Sequence, residues 1–272
     1  MIAAEPKIAS AGRQTVDCRS LDRQAPAEAR TIVTTSWDDG YRADLRLAEL
    51  LRSKGVNGTF YIPIHYGERS LENSELKDLA SEGFEIGAHG FSHKLLWGLS
   101  SQELADEIQP CKPILEDIIG KPVQMFCYPC GRYDANVVRT LQQAGYRGAR
   151  TTRMLATRPD FNRFAIPTTV QIFPHPPFTY LKNVVRAGKM EGLKAYMTQR
   201  PRLGDWLELG KKLFDSVLQN GGVWHLYGHS WEIDRLGLWD DLRELLDYVS
   251  RRDGVRYVPN CELVPASANG RH

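Results

Sequence analysis

The chain has 272 residues, 42% hydrophobic and 25% charged, which is the composition of a folded globular protein with one large core or two small ones. Its net charge of +2 is too small a basic excess to point to nucleic acid or an anionic membrane surface, and no apolar run is long enough to span a membrane. Five scattered cysteines (Cys18, Cys111, Cys127, Cys130 and Cys261) fit reduced thiols better than a disulfide framework.

Residues 1–30 mix acidic and basic side chains and contain no apolar signal region. They predict a poorly structured extension. A cytoplasmic location is the default, with secretion left open. From residue 31 the chain alternates short apolar strands with amphipathic helices. Strands are expected at 31–36, 58–62, 84–88, 123–128, 146–150, 166–173, 223–227 and 255–258. Leu45, Leu47, Ala48, Leu50 and Leu51 form a helical face that stops at Gly55. Ser100 and Glu103 make a capping box for a helix running to Ile119. Asp134 caps a helix that ends at Gly145, Asp205 begins one ending at Asn220, and the last spans Leu236 to Ser250. Such alternation implies an α/β fold with a parallel sheet. Seven or eight strands in about 230 residues favour a single-domain barrel over 31–262. The proline-rich stretch 175–203 breaks the rhythm and reads as a partly helical insertion over one rim, and 263–272 as a C-terminal tail.

Asp38 and Asp39 follow the first strand, and adjacent carboxylates repel unless one of them meets a cation. His89 and His93, four residues apart, follow the third strand. Tyr128-Pro129 follows the fourth, and His229 follows the strand ending at Tyr227. In a barrel all of these fall on the carboxyl-terminal rim, where barrel enzymes keep their chemistry. One aspartate and two neutral imidazoles form a three-ligand site with open positions, a donor set that suits zinc or another divalent ion. The remaining aspartate is then free to accept a proton from an attacking water, and His229 is placed to protonate a leaving group. His225 is the other candidate for the acid. Trp224, Trp231 and Trp239 read as packing residues. Cys127-x-x-Cys130 ends three residues short of the Asp134 cap, too far from a helix N-terminus for an activated thiol, so it reads as an incidental pair.

Together these residues resemble the polysaccharide deacetylase family, the NodB homology domain of carbohydrate esterase family 4, over roughly 31–262. Thr35-Ser36-Trp37-Asp38-Asp39-Gly40 is similar to the first family motif with one extra residue before the acids, and His89-Gly-Phe-Ser-His93 to the second. The resemblance implies a distorted (β/α)7 barrel. It implies Asp38 as general base, Asp39, His89 and His93 as metal ligands, the Tyr128 amide as oxyanion donor, and His229 in His-x-Trp-Glu as the acid. The third motif, Arg-x-Pro-x-Gly, stands here as Cys127-Tyr-Pro-Cys-Gly131, without the arginine that orients the base. Arg132, Arg150 or Arg163 could supply it from elsewhere. The implied activity is metal-dependent removal of an N-acetyl or other small acyl group from an amino-sugar or polysaccharide. Lipid-linked amino-sugars and small cyclic amides are alternative substrates, and a non-catalytic carbohydrate-binding protein is the alternative of another class. Oligomeric state is not addressed by the sequence.

Overall fold

A computed structural model describes residues 31–65, 67, 70–176, 179 and 205–264. The expected extension at 1–30, nearly all of the 175–203 insertion and the tail beyond 264 lie outside these residues. The strands are β1 (Thr31–Asp38), β2 (Thr59–Ile62), β3 (Glu85–Ala88), β4 (Met125–Cys127), β5 (Gly148–Arg150), β6 (Val170–Gln171), β7 (Gly222–Gly228) and β8 (Val255–Tyr257). All pair in parallel, in the order β5-β4-β3-β2-β1-β7-β6. β7 occupies one edge of β1 from Thr31 to Trp37, so β8 and β2 share the other edge in series. The sheet curls shut through residues 166–171: Ile166 bridges Arg150 on β5, and the Thr169 amide donates to the His225 carbonyl on β7. This is the expected distorted barrel, closed by a nearly irregular segment where a full strand 166–173 was predicted.

Helices α1 (Ala43–Lys54), α2 (Asn73–Ser81), α3 (Ser101–Ile108), α4 (Cys111–Ile119), α5 (Ala135–Gln143), α6 (Trp206–Asn220), α7 (Ser230–Leu236) and α8 (Trp239–Val249) connect the strands. The expected helix from Ser100 to Ile119 is split in two, and the expected last helix begins at Trp239, preceded by a short helix, Ser230–Leu236, that the sequence did not suggest. Pro110, which has no N–H to donate, separates α3 from α4, and Gly237 in the left-handed region closes α7 before α8 begins. The capping box at Ser100 and Glu103 and the Asp134 cap form as their sequences predict. Odd positions of β1, such as Val33 and Trp37, face the helices and join the apolar core with Leu47, Leu51, Phe60, Phe126, Leu213, Trp224 and Leu246.

Even positions face the barrel interior, which is polar. Thr34, Ser36 and Asp38 point inward and are met by Asn260, His225 and Arg150 respectively. Tyr61 crosses the interior, and its hydroxyl donates to Asn260 Oδ1 at 2.8 Å. Asn260 belongs to the short 3-10 turn Asn260–Leu263, which plugs the barrel floor and also donates its own amide to Thr59. The Tyr61 ring lies flat on Gly87 of β3: a Cβ there would sit 2.5 Å from two ring carbons. The ring has no free volume, since Tyr61 is fully buried. We expect Gly87→Ala to destabilise the fold by about 1–3 kcal/mol through overpacking. Urea unfolding measures this, and an unchanged midpoint would mean that the ring can move aside.

Candidate active site

β1 ends on Asp38, whose side chain follows the strand alternation into the barrel. The next residue, Asp39, takes φ 82 and turns its carboxylate away toward the loop after β3. Left-handed backbone is uncommon for a residue other than glycine and concentrates at functional sites. The two neighbouring acids therefore enter different surroundings.

Asp39 meets both histidines. Its Oδ1 lies 3.7 Å from His89 Nε2 and 3.2 Å from His93 Nε2, and its Oδ2 accepts from the Trp231 indole at 2.8 Å. The Oδ1 atom is buried and accepts no hydrogen bond. His89 donates Nδ1–H to the Cys127 carbonyl at 2.8 Å, which leaves Nε2 as a bare lone pair aimed at Asp39. Burial, and secondarily the neighbouring His93, hold the His89 pKa down to about 4 against the opposing pull of both aspartates, so the ring is neutral. Burial raises the Asp39 pKa, but His93, His229, His89 and the Trp231 N–H outweigh it and bring it down to about 2. An orphaned carboxylate oxygen facing two imidazole nitrogens is a donor set that fits a divalent cation, and Asp39, His89 and His93 are the residues that would hold it. The His93 loop is fixed from below: Glu107 on α3 accepts from the Ser92 amide at 2.9 Å and its hydroxyl at 2.6 Å.

Asp38 is buried and forms an ion pair with Arg150, the last residue of β5. Burial raises its pKa, but Arg150 first, then His89 and His229, bring it below the usual carboxylate value, so it is ionised at neutral pH. The guanidinium is sandwiched between Tyr61 and Tyr227, at 5.3 and 4.9 Å from the ring centroids. Cys127 occupies the position of the family arginine, with its thiol 3.7 Å from Asp38 Oδ2. Burial and the nearby aspartates keep that thiol protonated, and the described cysteines form no disulfide. Of the three arginines that the sequence left open, Arg150 is the one that reaches Asp38.

His229 N-caps α7. Its Nδ1 lies 2.6 Å from Glu232 Oε2, and its Nε2 3.8 Å from Asp38 Oδ2. Burial lowers its pKa, but the Glu232 hydrogen bond and the charges of Asp38 and Asp39 raise it above the usual value. His225 has a different role. It is sealed in the barrel between the Ser36 hydroxyl at 2.8 Å and the Pro167 carbonyl at 3.0 Å, with its pKa pushed to about 3, first by burial and then by Arg150. A third carboxyl, Asp44 on α1, is fully buried nearby, and burial together with Asp39 and Asp38 holds it toward its neutral form.

The Tyr128 amide donates to the Arg150 carbonyl at 3.3 Å in the β4–β5 register, and the Tyr128 hydroxyl donates to the Phe164 carbonyl. The Tyr128 amide thus stands at the end of β4, within the β4–β5 register. Two further site residues, Trp231 and Glu232, have roles that the sequence reading did not assign. The three-residue spacing from His229 to Glu232 at a helix start was the available signal.

The sequence profile of the polysaccharide deacetylase family matches residues 25–149. Over that stretch, somewhat under half of the chain, the protein is similar to the polysaccharide deacetylase family. It is 27% identical over 144 residues to a Bacillus subtilis protein assigned as a polysaccharide deacetylase, covering 52% of this chain and 51% of that protein. It is 29% identical over 119 residues to the peptidoglycan-N-acetylglucosamine deacetylase of Bacillus cereus, covering 43% of this chain and 54% of the relative. The chain thus spans about half the length of the curated relatives it matches. A solved structure from Mycobacterium smegmatis, assigned as a polysaccharide deacetylase, shares the fold with a TM-score of 0.59 at 17% identity, over 88% of this chain and 90% of that one. No helix among the described residues is long and apolar enough to cross a membrane.

The Arg150–Asp38 pair should act as a unit. Removing one partner of a buried pair strands the other charge, at a cost of about 3–5 kcal/mol. We expect Arg150→Met to lose stability on that scale, and Asp38→Asn/Arg150→Met to lose clearly less than the sum of the two single variants. Denaturant unfolding of the four proteins gives the coupling, and additive losses would show that the contact carries little energy.

Proposed function

We propose that the protein is a metal-dependent hydrolase that removes an N-acetyl or other small acyl group from an amino-sugar of a polysaccharide. The observation that carries this reading is the meeting, on one rim, of a cation-ready Asp39–His89–His93 cluster with an ionised carboxylate and a carboxylate-held imidazole. The Bacillus cereus relative, a peptidoglycan-N-acetylglucosamine deacetylase, supports an amino-sugar substrate.

A divalent ion, with zinc favoured by the nitrogen and oxygen donors, would supply Lewis acidity and lower the pKa of a bound water to about 7. Asp38 accepts the proton of the attacking water, because Arg150 keeps it ionised and fixes which oxygen faces the site. His229 protonates the leaving nitrogen. Glu232 takes its Nδ1–H, so the proton to be transferred sits on Nε2, on the side of Asp38. Trp231 anchors Asp39 through the indole N–H. The missing motif arginine had favoured a non-catalytic binding protein. Arg150 on β5 supplies an equivalent charge, which removes the reason for that reading.

Acetate release from N-acetylated oligosaccharides tests the proposal. Asp38→Asn should keep its metal and lose about 10²–10⁴-fold in turnover, whereas His93→Ala should lose the metal itself by elemental analysis. Normal turnover by Asp38→Asn would sink the assignment. The pH profile tests the acid. His229 must be protonated to donate, so activity should fall as pH rises through its raised pKa. Glu232→Gln removes one of the groups that raise it, and so the alkaline limb should move to lower pH. An unmoved limb would place the acid elsewhere.

A further inference from the structure

Beside the catalytic rim lies a cavity of about 470 Å³ whose walls include Trp97, Arg132, Tyr133, Arg153, His175 and Tyr227. Its position ties it to the reaction. The Tyr227 ring carries the guanidinium of Arg150, which in turn holds Asp38, so the cavity begins one side chain away from the base. Among the described residues its charge is one-sided, for two arginines line it and no carboxylate does. Among the described residues neither Arg132 nor Arg153 forms an ion pair. Asp134, next along the chain, is turned onto the Asn136 and Val137 amides of α5.

The walls are prearranged. The Arg153 guanidinium lies 5.8 Å from the Tyr133 ring centroid, and Tyr133 stacks at 4.3 Å on the buried Tyr128. Gly131 packs so closely on Thr152 that a Cβ would meet its hydroxyl at 2.1 Å, which fixes the loop bearing Arg132. At the mouth, Trp97 is 57% exposed, the most exposed large apolar side chain among the described residues. A flat indole open to water beside unpaired guanidinium groups suits a sugar ring that carries an oxyanion.

We propose that this cavity is a subsite for a carboxylate or phosphate group on the saccharide substrate, held by Arg132 and Arg153, with an adjoining sugar ring against Trp97. The sugar part rests on the deacetylase reading above, while the oxyanion part rests on the cavity alone. Charge-assisted contacts of this kind are worth about 10-fold in affinity where water has access, and they weaken as salt rises.

The test compares acetate release from three N-acetylated amino-sugar oligomers of equal length: one neutral, one bearing a ring carboxylate and one bearing a phosphate monoester. At low salt, kcat/KM for at least one anionic oligomer should exceed the neutral one about 10-fold, mainly through KM. The two anionic arms identify which oxyanion is read. The preference should shrink with added salt and collapse in Arg132→Gln/Arg153→Gln. Equal rates on all three oligomers, or a variant that slows all three in proportion, would overturn the subsite. Calorimetric binding of the same oligomers to Asp38→Asn separates the two readings. Anionic preference in binding without any acetate release by the native protein would retain the subsite and remove the deacetylase. No preference in binding would remove the subsite whatever the turnover.

Discussion

The ion pair between Arg150 and Asp38 constrains more of this molecule than any other single contact. Both side chains are buried, and a charge taken out of water costs several kcal/mol that its partner repays only in part. Two guanidinium nitrogens, Nε and Nη1, find no hydrogen-bond partner, which adds to that cost. The faces of Tyr61 and Tyr227 offset part of it, since a ring face attracts a desolvated cation. Each ring imposes its own condition. Tyr61 can lie across the barrel only because residue 87 is glycine, and its hydroxyl is tied to Asn260 on the barrel floor. Tyr227 is held by its hydrogen bond to Gln171, in the segment that closes the barrel. The conditions that hold one ionised carboxylate thus propagate through the interior from rim to floor. A buried pair of this cost is poor evidence for stability and better evidence for chemistry that needs an ionised carboxylate in a dry place.

The separation of the two aspartates follows from backbone geometry before any electrostatics. Alternation along β1 sends Asp38 inward, where Arg150 waits. The left-handed turn at Asp39 sends the next carboxylate out to His89, His93 and the Trp231 indole. The first carboxylate has its positive charge built in. The second faces His89, held neutral by burial, and His93, with one oxygen left without a donor, an arrangement that could hold a metal ion. Burial, with the charges of Asp39 and Asp38, pushes the Asp44 carboxyl toward its neutral form.

Much of this was readable from the chain. Strand and helix alternation gave the barrel because apolar period and turn residues act locally. The same periods put Asp38, His89 and His229 at strand ends. The helix break at Pro110 was misread because the apolar face continues across it, although proline chemistry decides the backbone. Arg150 could not be chosen over Arg132 or Arg163, since it meets Asp38 across 112 residues of chain and only the β4–β5 pairing aims it inward. Tyr128 stands at the expected strand end, and the register adds what the sequence could not show, that its N–H faces the Arg150 carbonyl of the neighbouring strand. A strand end fixes where a residue stands, and the register fixes what its backbone can still donate to.

The departure at Cys127 and the cationic cavity belong to one loop. Cys127 at the end of β4 sets a small neutral thiol beside Asp38, and the Arg150 guanidinium reaches the carboxylate from the next strand. The loop then passes through Cys130 and Gly131 in left-handed conformations, packs onto Thr152, and delivers Arg132 and Tyr133 to the cavity wall. Arg150 and Arg153 stand three residues apart at the end of β5 and just beyond it, one turned inward to the base and the other outward to the cavity. Two features that the sequence presents as unrelated are therefore coupled, because the residues that hold Asp38 and those that line the cavity are carried by the same two strand ends. A change in the packing of the 128–133 loop on Thr152 would act on both at once.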